Sequence, residues 1–190
     1  MIKELILKNR SYRRFEQKFK IKLTTLRKLV DLARLSASAG NLQSLKYILS
    51  NTPEKNNLIF AHLKWAMYLE DWSGPQEGER PSAYIVILGD KKISENFWCD
   101  YGIAAQSILL GAVECGLGGC MIGSIDKDGL RTSLNIDERY EILLVIALGR
   151  PKEKVIIEKL KKDGDIKYWR DKKGIHHVPK RALRDIILED

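Results

Sequence analysis

Hydrophobic positions recur along this 190-residue chain with two different periods. Ile2, Leu5 and Ile6 fall on one side of a short helix over residues 2–8. Leu26, Leu29, Val30 and Ala33 repeat at helical spacing, with Thr24 or Thr25 as candidate N-cap. "KYILS" reads as a strand, and "AYIVILGD", β-branched, apolar and closed by Gly-Asp, reads as the best strand in the chain. Between them Pro53 suits the first turn of a helix, and "EKNNLIFAHLKWAMYLEDW" predicts one or two helices. "SGPQEGERPS" is a loop. The longest helix is predicted from about Glu95 to Cys115, with Gly116 as its stop. Its second half is apolar nearly all round, so it needs cover on several sides, from the core or from a second subunit. "CMIGSI" and "EILLVIALG" are further strands, with a short helix near Asp128 to Leu134 between them. "IKYWRD", "HHVPKR" and a short helix, "ALRDIIL", follow. No repeat, low-complexity segment or linker divides the chain. Strands interleaved with helices predict a mixed α and β class and a single domain over residues 1–190.

Composition changes this picture little. An apolar share of 44% and a charged share of 31% fit a globular protein. The net charge of +8 suggests anionic partners. A basic nucleic-acid-binding module is disfavoured, because the basic clusters sit at the two chain ends and acids are interspersed throughout. Three cysteines, an odd number without a pairing pattern, argue against a disulfide framework and for buried, reduced thiols. "MIKELILKNR" has no small-residue cleavage site, and the most apolar run, Ile103 to Val113, is too short to span a bilayer. The expectation is a cytoplasmic protein with no membrane partner.

Several stretches carry candidate chemistry. In "RSYRRF", Arg10, Ser11, Arg13 and Arg14 put three guanidinium groups and a hydroxyl within five positions, a set suited to phosphate and equally to a solvated basic turn. Lys180 and Arg181 form a second basic pair. "GLGGCMIG" lacks the third glycine of a dinucleotide fingerprint and has its helix before and its strand after, so a Rossmann reading is rejected. A helix stop and tight turn account for Gly116 to Gly119 but less well for Gly123. "SASAGNLQ" is a junction of small and amide-bearing residues, suited to a flat body with a polar edge. The aromatics Trp65, Tyr68 and Trp72 recur at spacings of three and four on a predicted helix. They form a core stripe or, given the loop that follows, a lid. His176 and His177 face opposite ways in an extended segment, which is poor geometry for a shared metal, and none is expected.

Taken in order, "RSYRRF", "ARLSASAGNLQ", "DYGIAAQSILLGAVECGLGGCMIG" and "IALGRP" resemble the nitroreductase family of FMN-dependent oxidoreductases. The resemblance implies an α+β sandwich, with a central, mostly antiparallel sheet flanked by helices, and an intertwined homodimer with FMN at the subunit interface. It implies that Arg10, Ser11 and Arg13 grip the FMN phosphate, with Lys180 and Arg181 closing on it from the other end of the chain. Ser38, Asn41 and Gln43 would border the flavin, and the backbone of Ile122, Gly123 and Ser124 would lie against its ring. NADH or NADPH would supply hydride, and a flat small-molecule acceptor would take the electrons. No side chain is expected to be an essential acid or base. Asn9, Ser44-Leu45 and Met121 depart from common family residues. Another flavoprotein of the same fold remains the alternative: a dehalogenase, a flavin-consuming enzyme or a binder without turnover.

Overall fold

A computed structural model describes residues 1–161 and 164–188. Four strands form the central sheet: β1 (Leu45–Ser50), β2 (Ala83–Asp90), β3 (Gly118–Ile122) and β4 (Tyr140–Gly149). Their order is β1-β2-β4-β3 and every pairing is antiparallel. Every residue of β2 is buried, as its unbroken apolar run requires of a central strand.

The sheet is covered on both faces. On one, Ile85, Ile87, Ile146 and Leu148 pack with α2 (Leu23–Arg34) and α4 (Asp100–Glu114). On the other, Tyr84, Val86, Val145 and Ala147 pack with Ile59 of α3 (Pro53–Phe60) and Leu130 of α5 (Lys127–Leu134). A bulge keeps both faces apolar. Ile87 pairs with Leu144 but Leu88 pairs with Ile142, so Leu143 is the extra residue. It shifts the alternation of β4 by one, and Ile142 joins the same face as Val145.

The chain ends adjoin the far end of this sheet. After α1 (Ile2–Lys8), Ser11 bridges to Gly119 and Phe15 to Pro151. Gly119 has no room for a side chain: a Cβ there would sit 2.6 Å from the Ala147 carbonyl and 2.6 Å from Leu109. β5 (Val155–Lys159) and β7 (His176–Lys180) pair in parallel, and β6 (Trp169–Arg170) adds to β7 antiparallel.

Several sequence expectations are corrected. Of the one or two helices expected over residues 54–72, one forms and it ends at Phe60. Leu63 instead bridges to Ile125, the Lys64 N–H donates to the Ser124 carbonyl, and Ala66 takes φ +42°. Strand-like pairing wins over local helical pattern, and Trp65, Tyr68 and Trp72 lie on irregular chain. α2 begins at Leu23, with Lys22 rather than Thr24 or Thr25 at its N-cap. α4 starts at Asp100, not near Glu95, because residues 91–99 turn to place Phe97 under Gly89. Cys99 and Cys115 are exposed, not buried; Cys120 is buried. No helix of the described residues is long and apolar enough to cross a membrane.

Candidate functional site

The N-terminal basic motif is sorted by acids distant in sequence. Arg14 makes a bidentate pair with Glu79, at 2.6 and 2.5 Å, and Lys152 joins the same carboxylate at 3.3 Å. Two cations hold the Glu79 carboxyl below the usual carboxylate range, the Arg14 hydrogen bonds contributing most. Arg14 is thereby taken up in structure. Arg13 is held differently. Its backbone N–H and that of Arg14 both donate to Glu153 Oε1, at 2.5 and 3.1 Å. The other Glu153 oxygen accepts from Arg170 at 2.8 Å, and the Glu153 side chain is 1% exposed. One buried carboxylate thus ties the N-terminal segment to the C-terminal sheet.

The Arg13 guanidinium lies over the Tyr168 ring, 4.8 Å from its centre, and donates to His176 Nε2 at 3.3 Å. Arginine has no acceptor, so Nε2 accepts and the hydrogen of this imidazole sits on Nδ1. That atom is buried without a partner among the described residues. Burial, then the charges of Arg13 and Arg170, push the His176 pKa down to about 4. An unfolded histidine titrates near 6.5. The unfolded state therefore binds more protons below that value, and stability is lost as pH falls from 6.5 toward 4. His177 is shifted up, chiefly by its hydrogen bond to Glu158, and its contribution is lost only as pH rises. The contribution of Glu79 is lost below its ordinary 4.5. Between those limits, the melting temperature of the native chain is expected to fall with pH, and that of His176→Gln to stay nearly flat. Parallel melting curves of the two proteins would refute this assignment.

Arg13 faces a cleft of about 430 Å³ walled by Trp65, Cys120, Ile122, Gly123, Ser124 and Tyr168. The glycine cluster divides here by role. Gly118 and Gly119 are packed against protein, whereas a Cβ on Gly123 would meet nothing closer than Leu144, at 3.9 Å. Gly123 is open to the cleft side. The Trp65 indole Nε1 is buried with no partner among the described residues. The three lid candidates part company: Trp65 lines the cleft, Tyr68 packs on Tyr168 at 5.0 Å, and Trp72 lies under the Arg170 guanidinium at 4.8 Å. Arg10 donates to the Ile6 carbonyl at 2.7 Å, while its Nε is buried and without a partner among the described residues. Ser11 lies beside Gly119.

The amide-rich junction forms a second, separate recess of about 230 Å³, lined by Ser38, Gln43, Tyr47 and Asp100 among others. Gly40, Asn41 and Gln43 all take left-handed φ, between +52° and +55°. Asp100, buried at the first turn of α4, holds this backbone. It accepts from Ser38 Oγ at 2.7 Å and from the Ala39 N–H at 3.0 Å. Ser38 Oγ in turn accepts the Gln43 N–H at 3.0 Å. The nearby carboxylate adds to burial in raising the Tyr47 pKa to about 12. Asn41 and Gln43 are exposed, and the Gln43 amide donates to Asn41.

Within one chain, then, the structure joins Arg13 with Ile122, Gly123, Ser124 and Trp65, but leaves Ser38, Asn41 and Gln43 apart from them. Lys180 ends β7 and Arg181 follows it, about 13 Å or more along the chain from His176. No side-chain contact joins Lys180 or Arg181 to Arg10, Ser11 or Arg13 among the described residues. Sequence reading missed Asp100, Glu153, Tyr168 and His176. The first two are lone carboxylates whose partners lie far off in sequence. His176 was set aside with its neighbour as a poor metal pair, although its expected alternation with His177 holds.

This fold is shared with solved structures. The chain is similar to an FMN-dependent nitroreductase from Clostridium difficile R20291, with 26% identity, covering 81% of this chain and 89% of that one, at a TM-score of 0.66. It is similar in fold to a nitroreductase family protein from Streptococcus pneumoniae TIGR4, with 17% identity over the whole of both chains and a TM-score of 0.70. A protein from Exiguobacterium sibiricum 255-15 solved in complex with FMN aligns at 16% identity, over 80% of this chain and 89% of that one, with a TM-score of 0.67. The nitroreductase family model matches residues 6–150, and the chain belongs to that family, a class of oxidoreductases.

Proposed function

We propose that this protein is an FMN-dependent oxidoreductase that uses NADH or NADPH to reduce a flat acceptor such as a nitroaromatic or a quinone. The observation that carries the reading is the convergence of Arg13, Trp65 and the open Ile122–Ser124 backbone on one cleft. FMN, when bound, supplies the redox chemistry: it takes hydride from the nicotinamide and passes electrons to the acceptor.

The residues present fit that group. An isoalloxazine ring needs flat access to backbone, which Gly123 leaves open. Its polar edge needs donors, and Trp65 Nε1 is a buried donor without a partner among the described residues. Its reduced form carries negative charge, which the Arg13 guanidinium would favour. Arg10 and Ser11 would take the phosphate, with the Arg10 Nε still available. Lys180 and Arg181 would add charge from the end of β7. Trp65, Tyr68 and Trp72 would form the lid, with Trp65 nearest the ring.

For one flavin to meet Ser38, Asn41 and Gln43 as well, a second copy must adjoin, and we propose a homodimer. Leu32 and Leu35 of the α2 end and Ile103 of α4 are exposed apolar residues suited to such a face. On this reading residues 1–190 act as one FMN-binding unit in the cytoplasm, where its free cysteines suit a reducing compartment.

The purified protein is expected to be yellow, to hold one FMN per subunit, and to bleach on adding NADH or NADPH without oxygen. Protein that takes up no added FMN would end the proposal. Bound flavin reduced by neither nicotinamide would leave a flavoprotein of another activity.

A further inference from the structure

Tyr84 stands on the central strand with its residue 1% exposed. A phenol at that depth ordinarily hydrogen-bonds to protein. The Tyr84 hydroxyl makes no hydrogen bond among the described residues, and Tyr84 borders a groove of about 850 Å³. The groove runs between residues 17–22, the start of α3 and residues 77–82. Arg80 lines the same groove. Its guanidinium stacks on Phe60 at 4.3 Å, and one terminal nitrogen meets Glu77 at 3.4 Å. Its Nε is buried and has no partner among the described residues. Burial raises the Tyr84 pKa, and the Arg80 charge opposes that rise.

Two unpartnered donors bordering one groove, an O–H and a charged N–H, match the two oxygens of a carboxylate. Of the neighbouring amides, Asn56 bonds Ser50 and the Ser82 carbonyl, and Asn51 bonds the Ile21 carbonyl, while Asn57 also lines the groove. Glu77 is occupied by Gln17 and Arg80. Phe19, Ile21, Phe60 and Pro81 supply apolar walls for a ring. Lys18, Lys20 and Lys22 are exposed and line the groove with Arg80, four cations against Glu54 and Glu77, and favour the approach of an anion.

We propose that this groove binds a small aromatic carboxylate, held by the Tyr84 hydroxyl and the Nε edge of Arg80. The site does not depend on the flavin reading, and it is distinct from the Arg13 cleft. The two share one wall, because Phe60 packs on Trp65 with ring centres 5.9 Å apart.

Benzoate and cinnamate, with benzamide as the neutral control, are the probes, titrated into the full chain by calorimetry and ligand-observed NMR, with and without FMN. Both acids are expected to bind saturably, more tightly than benzamide, and FMN should not displace them. Tyr84→Phe, which keeps the packing, and Arg80→Gln should each weaken binding at least about tenfold. Acids that bind no better than benzamide, or as well to both variants as to the native chain, would overturn the proposal. Displacement by FMN would also overturn it, by placing the acids in the other cleft. If Arg80→Gln fails to fold, Tyr84→Phe decides alone.

Discussion

Replacing Glu153 by alanine is expected to cost the fold about 3–5 kcal/mol, the range for removing one partner of a buried ion pair. The side chain is 1% exposed and serves three donors: two backbone N–H groups of the N-terminal motif and the Arg170 guanidinium. Alanine leaves all three in place with nothing to accept them. Arg170 Nε already lacks a partner among the described residues, so the cation would be left with little beyond its stacking on Trp72. For a chain of this length the loss corresponds to roughly 10 °C in melting temperature. Glu153→Gln separates charge from hydrogen bonding. Its carbonyl can still accept both backbone N–H groups, while its amide cannot neutralise Arg170. It should fall between the native chain and alanine. Denaturant melts of the three proteins check the order. An alanine variant within about 1 kcal/mol of native would show that the terminal segments are held by something other than this carboxylate.

The same carboxylate shows what could be read from the chain and what could not. β2 and β4 were legible because a strand buried on both faces is written as an unbroken β-branched run, and the structure places β2 over the expected residues. Pro53 at the first turn of α3 and left-handed Gly116 after α4 follow from backbone chemistry that one residue carries. The helix beyond Phe60 was misread because its apolar spacing is helical while Leu63 finds a strand-like partner in Ile125, 62 positions away. Long-range pairing leaves no local trace. The site divides in the same way. "SASAGNLQ" was read as the seat of a flat, polar-edged body, and the left-handed φ of three of its residues is a feature that reading did not foresee. Its anchor, Asp100, is one acid among 25 and bonds to residues about 60 positions upstream. Arg13 and Arg14 are indistinguishable as letters. Only the position of Glu79 consigns Arg14 to structure and leaves Arg13 to face the cleft.

That division makes Arg13→Ala the sharpest test of the proposed flavin site. A charge-assisted hydrogen bond contributes about 1.5–3 kcal/mol, so losing the guanidinium is expected to weaken FMN binding roughly 10- to 100-fold. Arg13→Lys should keep part of the affinity, because it retains charge but not the planar fork. Arg14→Ala is the matched control: it lowers stability by freeing Glu79 but should leave flavin affinity near native. Fold integrity can be read independently at His176. Arg13 is the second cause, after burial, of that residue's depressed pKa. In Arg13→Ala the imidazole should therefore titrate higher than about 4, yet stay below 6.5 while burial persists, as followed by its ring-proton NMR shift. A variant that has simply lost its tertiary structure would titrate near 6.5. If Arg13→Ala keeps the intermediate titration of a folded chain and still binds FMN with native affinity, the cation of the cofactor site lies elsewhere. The Arg13–His176–Tyr168 group would then be no more than the joint between the two ends of the chain.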